Sequence, residues 1–416
     1  MALAGSLSVG GWANLAGSLA VAAALLASNA WKWGSLSGFA AATHVGGCRD
    51  PVGGRLLFCD AVRFYLPQGD RLFRSTERLE GFIYPPPFAL LMRVVVSAGW
   101  RASIYLWAAV VTASTVALLV VPLVGLFRRR RAAALAYGVL LVGGMPILSN
   151  FYWGQVSVLI TVLVLGALLL HAKGHRTASA LLLGGAISIK VYPLIFVLPL
   201  LFKRDLKALA RCAAVTAACM VLLPVGVLGA AATVRFYAGA FAHIERAGRS
   251  TLFAHYGPNV VSLLLTGDVD ERSLLFRVLQ VASLCLVASN VLLLHRLVRA
   301  RVEHEPYWSA ALLFTTLPFL VRTSWLHSYA WLPLVQAFAV VVALESRERP
   351  AARTALLLAP VIASAALSSL TFFEWVGEDW YMRKGVIFWS ALLLLPTLHW
   401  VGWRTPRATA VGPDRS

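Results

Sequence analysis

Charged residues are scarce in this chain of 416 residues, where aspartate, glutamate, lysine and arginine together make up only 13%. The acidic residues are the scarcest, with 18 against 37 basic ones, so the formal net charge is +19. Hydrophobic residues make up 59%, and the mean hydropathy is +0.75. A soluble domain of this length needs a more polar surface, so the composition predicts an integral membrane protein with several spans.

The chain also lacks the patterns that accompany nucleic-acid or metal binding. Its basic residues stand in short clusters between apolar runs, without a nucleic-acid-binding motif, so no nucleic acid is expected as a partner. The five cysteines show no paired CxxC spacing, and neither a metal nor another cofactor is expected. Cys48 and Cys59 flank a polar loop, where they can form a disulfide if the loop is extracytoplasmic.

Apolar runs near the length of a bilayer span recur along the chain and predict one all-α integral-membrane domain over residues 1–416. Residues 12–31 follow no basic segment and precede no clear cleavage site, so we expect a retained first helix rather than a signal peptide. The predicted spans are residues 12–31, 103–127, 132–149, 155–171, 177–202, 206–231, 273–294, 307–320, 328–344, 354–372 and 386–403.

Basic clusters set the predicted direction of these spans, because lysine and arginine accumulate on the cytoplasmic side. Placing "RRRR", "KGHR" and "KRDLK" inside requires residues 177–202 to be a broken pair of half-helices that turns near Lys190 and Pro193. With that hairpin the chain makes about twelve crossings, and both termini are cytoplasmic. Residues 32–102 then form a large outer loop, and residues 404–416 form a cytoplasmic tail.

Three consecutive prolines open one apolar run, "FIYPPPFALLMRVVV", at residues 82–96. Proline donates no backbone hydrogen bond, so a lipid-exposed span that began here would leave carbonyl groups unpaired. Proline is nevertheless favourable in the first turn of a helix. The segment therefore predicts an interfacial helix along the outer membrane surface, with Tyr84 at the interface.

The predicted outer face collects residue types that suit an amphipathic substrate, since cations hold phosphate and aromatic rings stack on sugars. Lys190 is costly to bury between "GAISI" and "VYPLIF", so it either contacts phosphate or snorkels toward the interface. His327 either holds a phosphate oxygen or orients Asp60, unless its imidazole simply bonds a backbone carbonyl. Gln155 either meets a sugar hydroxyl or caps the helix that it opens.

Further binding candidates on this face are less specific. Donor-side candidates beyond Lys190 and Gln155 are Tyr84, Arg322 and Trp325. On the acceptor side, a predicted outer loop that can cover the cleft contributes Arg235, Tyr237, His255 and Asn259.

Five segments resemble, in order, the landmarks of glycosyltransferase family 87. They extend over residues 58–336 and read "CDAVRFY", "FIYPPPF", "WGQVSVLI", "GAISIKVYPLIFVLPLL" and "SWLHSYAWLPL". The resemblance implies a GT-C membrane fold and transfer of mannose from polyprenyl-phosphate-mannose to a glycolipid or envelope glycan. It also implies an active site on the extracytoplasmic side of the plasma membrane, with Asp60 as the general base of an inverting transfer.

The residues alone leave other interpretations open. Asp60 can instead cap a loop or pair with Arg55 or Arg63, in which case Asp50 and Asp70 are the other carboxylates of the loop. The same enzyme class can use polyprenyl-phosphate-arabinose as its donor. A lipid or sugar transporter is a further alternative, because broken helices with a charge at the membrane midplane also occur there. The last alternative is a scaffold protein of envelope assembly that has no catalytic activity.

Overall fold

The computed structural model describes residues 58–72, 75, 79, 81–127, 130–250, 255–345 and 351–405, without the side chains of residues 131–132 and 243–250. The expected first span at 12–31, the loop residues Asp50 and Arg55, and the tail beyond residue 405 lie outside this part. Cys59 is held in a disulfide bond. Its expected partner, Cys48, also lies outside the described residues.

The described part of the chain is helical and contains no β-strand, apart from an isolated bridge between Gly144 and Ser369. Short 3-10 helices occur at Tyr192–Val197 and Leu326–Tyr329, and π-helical turns occur at Ala61–Tyr65 and Ala218–Leu222. The α-helices are Leu66–Arg71, Pro86–Val96, Trp100–Gly125, Arg131–Gly143, Met145–Trp153, Ser157–Ala172, Arg176–Ile189, Leu198–Phe202, Leu206–Ala217, Leu223–Leu228, Ala230–Ser250, Gly257–Thr266, Leu274–Ala300, Glu305–Phe314, Leu317–Leu320, Leu332–Glu345, Ala351–Leu367, Leu370–Val376, Glu378–Arg383, Val386–Leu392 and Leu394–Arg404.

Five helical segments of the described chain are long and apolar enough to cross a membrane, or six if one bent pair counts as a span. The prediction of an all-α protein with several membrane spans is confirmed, whereas the count of about twelve crossings remains a prediction. The five are Trp100–Gly125, Leu206–Leu228, Leu274–Ala300, Leu326–Glu345 and Val386–Arg404. The bent pair is Met145–Trp153 and Ser157–Ala172, and the chain bends by 116° between the two helices.

These segments differ in how much of their surface packs against protein. Leu326–Glu345 is 89% buried inside the molecule, whereas Leu206–Leu228 is only 11% buried. An apolar helix that leaves most of its surface uncovered has lipid as its natural environment. The helix that follows His327 therefore lies at the centre of the bundle, and Leu206–Leu228 lies at its edge.

The structure divides the expected span 132–149 into two helices at Gly144. The backbone of Gly144 is extended, with ψ at 122°, and Pro146 lies in the first turn of the next helix. The amide nitrogen of Met145, freed by this break, donates to the carbonyl oxygen of Ser368 at 2.8 Å. The break is therefore stabilised by a neighbouring helix connection and does not leave a buried donor unpaired.

A second helix break occurs at Lys190, where the sequence predicts one, whereas the predicted reversal of the chain there remains a prediction. Helix Arg176–Ile189 ends there, and the backbone of Lys190 is extended with φ −140° and ψ 143°. Pro193 lies in the first turn of the 3-10 helix that follows. The lysine thus stands at a helix end, where its side chain can reach the polar groups described below.

The prolines at 85–87 do start a helix, Pro86–Val96, with Pro85 as its N-cap. This helix packs closely on Leu66–Arg71, because a Cβ atom at Gly69 would lie 2.6 Å from the carbonyl carbon of Met92. Only glycine permits such an approach of two backbones. The position of this helix at the membrane interface remains a prediction.

Aromatic side chains join the segment after Asp60 to the proline-rich segment. The ring centroid of Tyr65 lies 5.0 Å from those of Tyr84 and Phe88, and 6.0 Å from that of Trp107, all in edge-on geometry. Such contacts between buried rings are favourable beyond the burial of their area. They hold two distant parts of the sequence together where the candidate site forms.

A separate group of charged residues joins the helix ends around residue 205. Asp205 accepts hydrogen bonds from Arg176 Nε at 2.6 Å and from the backbone nitrogen of Ala208 at 3.1 Å. His171 Nε2 lies 3.2 Å from the same carboxylate, and Lys203 pairs with Glu305. This network fixes the start of helix Leu206–Ala217 against its neighbours.

Candidate active site

Asp60 stands immediately before the π-helical turn Ala61–Tyr65 and heads a chain of hydrogen bonds. The side-chain nitrogen of Gln155 donates to Asp60 Oδ2. Tyr84 Oη donates to Gln155 Oε1 at 2.8 Å, and the hydroxyls of Tyr84 and Tyr65 share a hydrogen bond of 2.5 Å. Side chains from three of the quoted segments, "CDAVRFY", "FIYPPPF" and "WGQVSVLI", are therefore joined in one relay.

A tight turn at Gly154 aims Gln155 at Asp60. Gly154 has φ 62°, and a Cβ atom there would lie 2.7 Å from Cβ of Phe58, so the turn requires glycine. Trp107 Nε1 donates to the carbonyl oxygen of Gly154 at 2.8 Å. The backbone nitrogen of Gln155 donates to the carbonyl oxygen of Asn150 at 2.9 Å. Both backbone groups beside the Gln155 side chain are thus fixed.

The segment that carries Asp60 is attached to the same turn. The backbone nitrogen of Phe58 donates to the carbonyl oxygen of Tyr152 at 2.7 Å, and Cys59 Sγ lies 3.3 Å from Tyr152 Oη. Phe58 adopts a left-handed backbone with φ 74°, which is uncommon for a residue with a side chain. The surrounding contacts hold this strained residue, as is typical near functional sites.

Lys190 supplies a cation beside this relay. Its Nζ lies 5.3 Å from the ring centroid of Tyr84 and 5.9 Å from that of Tyr192. It is also within electrostatic reach of the Asp60 carboxylate. The ammonium group therefore lies over aromatic rings next to the carboxylate, in an arrangement suited to holding an anion.

Burial dominates the electrostatics of Asp60. Protein surrounds the carboxyl group, although part of its own surface stays open. Burial raises the pKa of Asp60 from 3.8 to about 7, while the Gln155 hydrogen bond and the charges of Lys190 and Arg63 act in the opposite direction. A carboxylate with this pKa exchanges its proton near neutral pH, as a general base must.

His327 lies in the 3-10 helix Leu326–Tyr329 that packs against Met145–Trp153. Its side chain is buried, and its Nε2 atom has no hydrogen-bond partner among the described residues. Lys190 and His255 are within electrostatic reach of this imidazole. The structure thus brings Asp60, Lys190 and His327 into one neighbourhood.

The other donor-side candidates occupy different positions. Trp325 remains beside the site, with its ring centroid 5.8 Å from that of His327. Arg322 forms an ion pair with Glu271, and its Nη1 lies 3.4 Å from both carboxylate oxygens. The charge of Arg322 is therefore already compensated by a neighbouring helix connection.

The acceptor-side candidates also differ from one another in position and in contacts. His255 and Asn259 are buried at the start of helix Gly257–Thr266. Tyr237 Oη donates to the carbonyl oxygen of Met220 at 2.6 Å, so its hydroxyl is used within the bundle. Arg235 is exposed on helix Ala230–Ser250.

The family comparison covers most of this geometry. The sequence profile described as "Glycosyltransferase family 87" matches residues 82–328, which is more than half of the chain. The chain belongs to glycosyltransferase family 87. The match includes Tyr84, Gln155, Lys190 and His327 and begins after Asp60. The matched residues thus include every part of the site except the segment that carries Asp60.

Two similar proteins extend the comparison. The polyprenol-phosphate-mannose-dependent alpha-(1-2)-phosphatidylinositol mannoside mannosyltransferase of Mycobacterium tuberculosis is 29% identical over 338 residues, which cover 76% of this chain and 73% of the relative. The protein of the same name from Mycolicibacterium smegmatis is 28% identical over 325 residues, covering 72% of this chain and 69% of the relative. No solved structure shows a significant match.

Several residues of the site are not singled out by the sequence alone. Tyr65 completes the hydrogen-bonded relay, Trp107 fixes the Gly154 turn, and Tyr329 donates to the carbonyl oxygen of His255 at 2.7 Å. Tyr65 lies inside the quoted segment "CDAVRFY", which was its only signal. Trp107 and Tyr329 belong to apolar helical runs, where an aromatic residue ordinarily indicates core packing.

Proposed function

We propose that this membrane glycosyltransferase transfers mannose from polyprenyl-phosphate-mannose to a glycolipid or envelope-glycan acceptor, with Asp60 as the general base. The observation that carries the proposal is the relay of Asp60, Gln155 and Tyr84 beside the ammonium group of Lys190. It places a proton acceptor next to a cation that suits a phosphate. The donor named for both relatives supports this choice of sugar and carrier.

The proposed transfer inverts the anomeric carbon in a single displacement. An acceptor hydroxyl attacks that carbon from the face opposite the phosphate, and a glycosidic C–O bond forms as the bond to the phosphate oxygen breaks. The hydroxyl proton passes to Asp60, and the electron pair of the broken bond stays on the phosphate. Gln155 holds Oδ2 of the carboxylate, which leaves Oδ1 as the oxygen that takes the proton.

Cationic and polar groups stabilise the departing polyprenyl phosphate in this proposal. Lys190 is within electrostatic reach of both Asp60 and His327, so its charge acts on the base and on the buried imidazole. A fixed positive charge at the position where negative charge develops lowers the barrier to transfer. Trp325, beside His327, is in position to pack on the sugar.

The finer architecture belongs to the same proposal. It is a GT-C fold of about twelve crossings with an interfacial helix at Pro86–Val96 and the site on the extracytoplasmic side of the plasma membrane. The clusters at 128–131, 173–176 and 203–207 support this direction. The acceptor-side candidates in this proposal are Arg235, Tyr237, His255 and Asn259, and Arg322 is a peripheral donor-side candidate.

The test uses purified protein in nanodiscs with radiolabelled polyprenyl-phosphate-mannose and a panel of glycolipid acceptors. Wild type should transfer mannose, and Asp60→Asn should bind the donor without transferring it. Asp70→Asn is the matched control, since Asp70 lies in the same segment and faces Arg93 at 3.9 Å. It should retain transfer.

Other results of the same assay would distinguish the proposed function from the alternative functions. Transfer only from polyprenyl-phosphate-arabinose would keep the enzyme class and change the sugar. Failure of wild type to bind either donor would overturn the proposal in favour of a transporter. Donor binding with transfer that is the same in Asp60→Asn would remove Asp60 as the base.

A further inference from the structure

Two buried histidines beside the site have ring nitrogens with no hydrogen-bond partner in the part of the chain that the structure describes. The Nε2 atoms of His255 and His327 are both buried without a hydrogen bond to any described residue. The two side chains are 1% and 4% exposed, so bulk water does not compensate for the missing bonds. Buried polar atoms are nearly always paired in native proteins, so these two nitrogens are available to bind a ligand.

The backbone contacts of His255 attach it to the segment that carries His327. The nitrogen of His255 donates to the carbonyl oxygen of Ser324 at 2.5 Å, and its carbonyl oxygen accepts from Tyr329 Oη at 2.7 Å. These contacts lie on either side of His327 in the sequence. The backbone at His255 is therefore tied to the short stretch that carries the second imidazole.

The charged groups around the two imidazoles indicate which kind of ligand can bind there. His327 is within electrostatic reach of both His255 and Lys190, so two imidazoles and one ammonium group share a neighbourhood. The nearby carboxylate, Asp60, already accepts from Gln155 and faces Lys190. With the proton on Nε2, each neutral imidazole donates one hydrogen bond, so an anion with several oxygen acceptors satisfies both imidazoles and the ammonium group together.

We infer that His255 and His327 form a two-imidazole clamp for the phosphate of the polyprenyl carrier, and that this clamp holds the released phosphate more tightly than the donor. The inference rests on the proposed function, and it moves His255 from the acceptor side to the phosphate side of the site. Polyprenyl-phosphate-mannose carries a phosphodiester with one negative charge. When the bond from the anomeric carbon to the phosphate oxygen breaks, the electron pair stays on that oxygen, and polyprenyl phosphate leaves with a second charge.

Groups that bind the product phosphate better than the donor also stabilise the transition state, in which the second charge is developing. His255 should therefore affect the transfer rate more than donor binding. A role on the acceptor side would instead change the KM for the acceptor. A purely structural role would lower thermal stability without separating donor from product.

The test compares two substitutions that differ in hydrogen bonding. His255→Phe keeps a planar ring without a nitrogen, whereas His255→Gln keeps a polar nitrogen near the position of Nε2. Farnesyl phosphate, polyprenyl-phosphate-mannose and inorganic phosphate are the probes, each measured by binding to protein in nanodiscs. His175→Gln is the matched control, because His175 is exposed between two helices.

For His255→Phe we expect the affinity for farnesyl phosphate to fall about tenfold, as for loss of one hydrogen bond to a charged group, and the donor affinity to fall less than about threefold. The kcat should fall about tenfold with little change in the KM for the donor. His255→Gln should recover part of both losses, and His175→Gln should match wild type. Tyr329→Phe should shift product affinity in the same direction by a smaller factor.

Other results overturn the inference and leave the proposed function standing. Wild-type affinities in His255→Phe, equal losses for donor and product, or a change confined to the KM for the acceptor would each do so. Competition by inorganic phosphate as effective as by farnesyl phosphate would identify a free-phosphate site instead. If His255→Phe does not fold, an unchanged product affinity in Tyr329→Phe counts against the clamp. Absence of donor binding in wild type contradicts the proposed function itself.

Discussion

The side-chain nitrogen of Gln155 donates to Oδ2 of Asp60, although 95 positions separate the two residues in the sequence. The orientation of the amide is set from its other end, because its oxygen accepts from Tyr84 Oη at 2.8 Å. A donor aimed at the carboxylate favours the charged form of Asp60. Gln155 thus opposes the burial that would otherwise keep this carboxyl group protonated.

The rate of transfer should depend on pH through Asp60. Its pKa is raised to about 7, mainly by burial, and a general base acts only when it is deprotonated. The single-turnover rate should therefore rise as pH increases through about 7 and level off above it. A profile from about pH 5 to about pH 9 measures this, and a rate that is flat below pH 7 would contradict it.

Substitution of Gln155 should move that profile. In Gln155→Met the hydrogen bond that lowers the pKa of Asp60 is lost, so the rising limb should shift to higher pH while the plateau is partly retained. Tyr65→Phe is the comparison, since it removes a hydroxyl three hydrogen bonds away from the carboxylate. It should shift the limb less. Identical limbs in wild type and Gln155→Met would show that the amide does not tune the base.

Gly154→Ala should destabilise the protein and disorganise the site. The new methyl group would meet Phe58 at 2.7 Å in a left-handed backbone, at a cost of roughly 1 to 3 kcal/mol. Gly174→Ala is the matched control, because Gly174 has φ 82° with no atom within 4 Å of a new Cβ. Thermal melting in detergent should show the larger loss for Gly154→Ala. Equal losses would mean that the contact with Phe58 is relaxed at no cost.

Much of the fold follows from local sequence signals, but most of the site does not. The break at Lys190 is predictable from charge parity and Pro193, and "GGMP" at 143–146 already signals the division of the span 132–149. The pairing of Asp60 with Gln155 has no local signal, so the sequence assigns Gln155 only a cap or a sugar contact. The ion pair of Arg322 likewise depends on Glu271, which the fold brings near.

Acid should weaken the network around Asp205. Burial alone would raise the pKa of Asp205, but hydrogen bonds from Arg176, Ala208 and His171 outweigh it and lower the pKa from 3.8 to about 2. The carboxylate therefore stabilises the fold above about pH 4, and that stabilisation is lost as pH falls from about 4 to about 2. Asp205→Asn should melt several degrees lower at pH 7, with a smaller difference at pH 3. A difference independent of pH would contradict the ionic role.

The most direct test of the account is the single-turnover rate of mannose transfer by Asp60→Asn, measured together with its affinity for polyprenyl-phosphate-mannose. Loss of a general base should lower the rate by about 10²- to 10⁴-fold, while the dissociation constant for the donor stays within about threefold of wild type. A variant that transfers mannose within about tenfold of the wild-type rate would show that Asp60 is not the base.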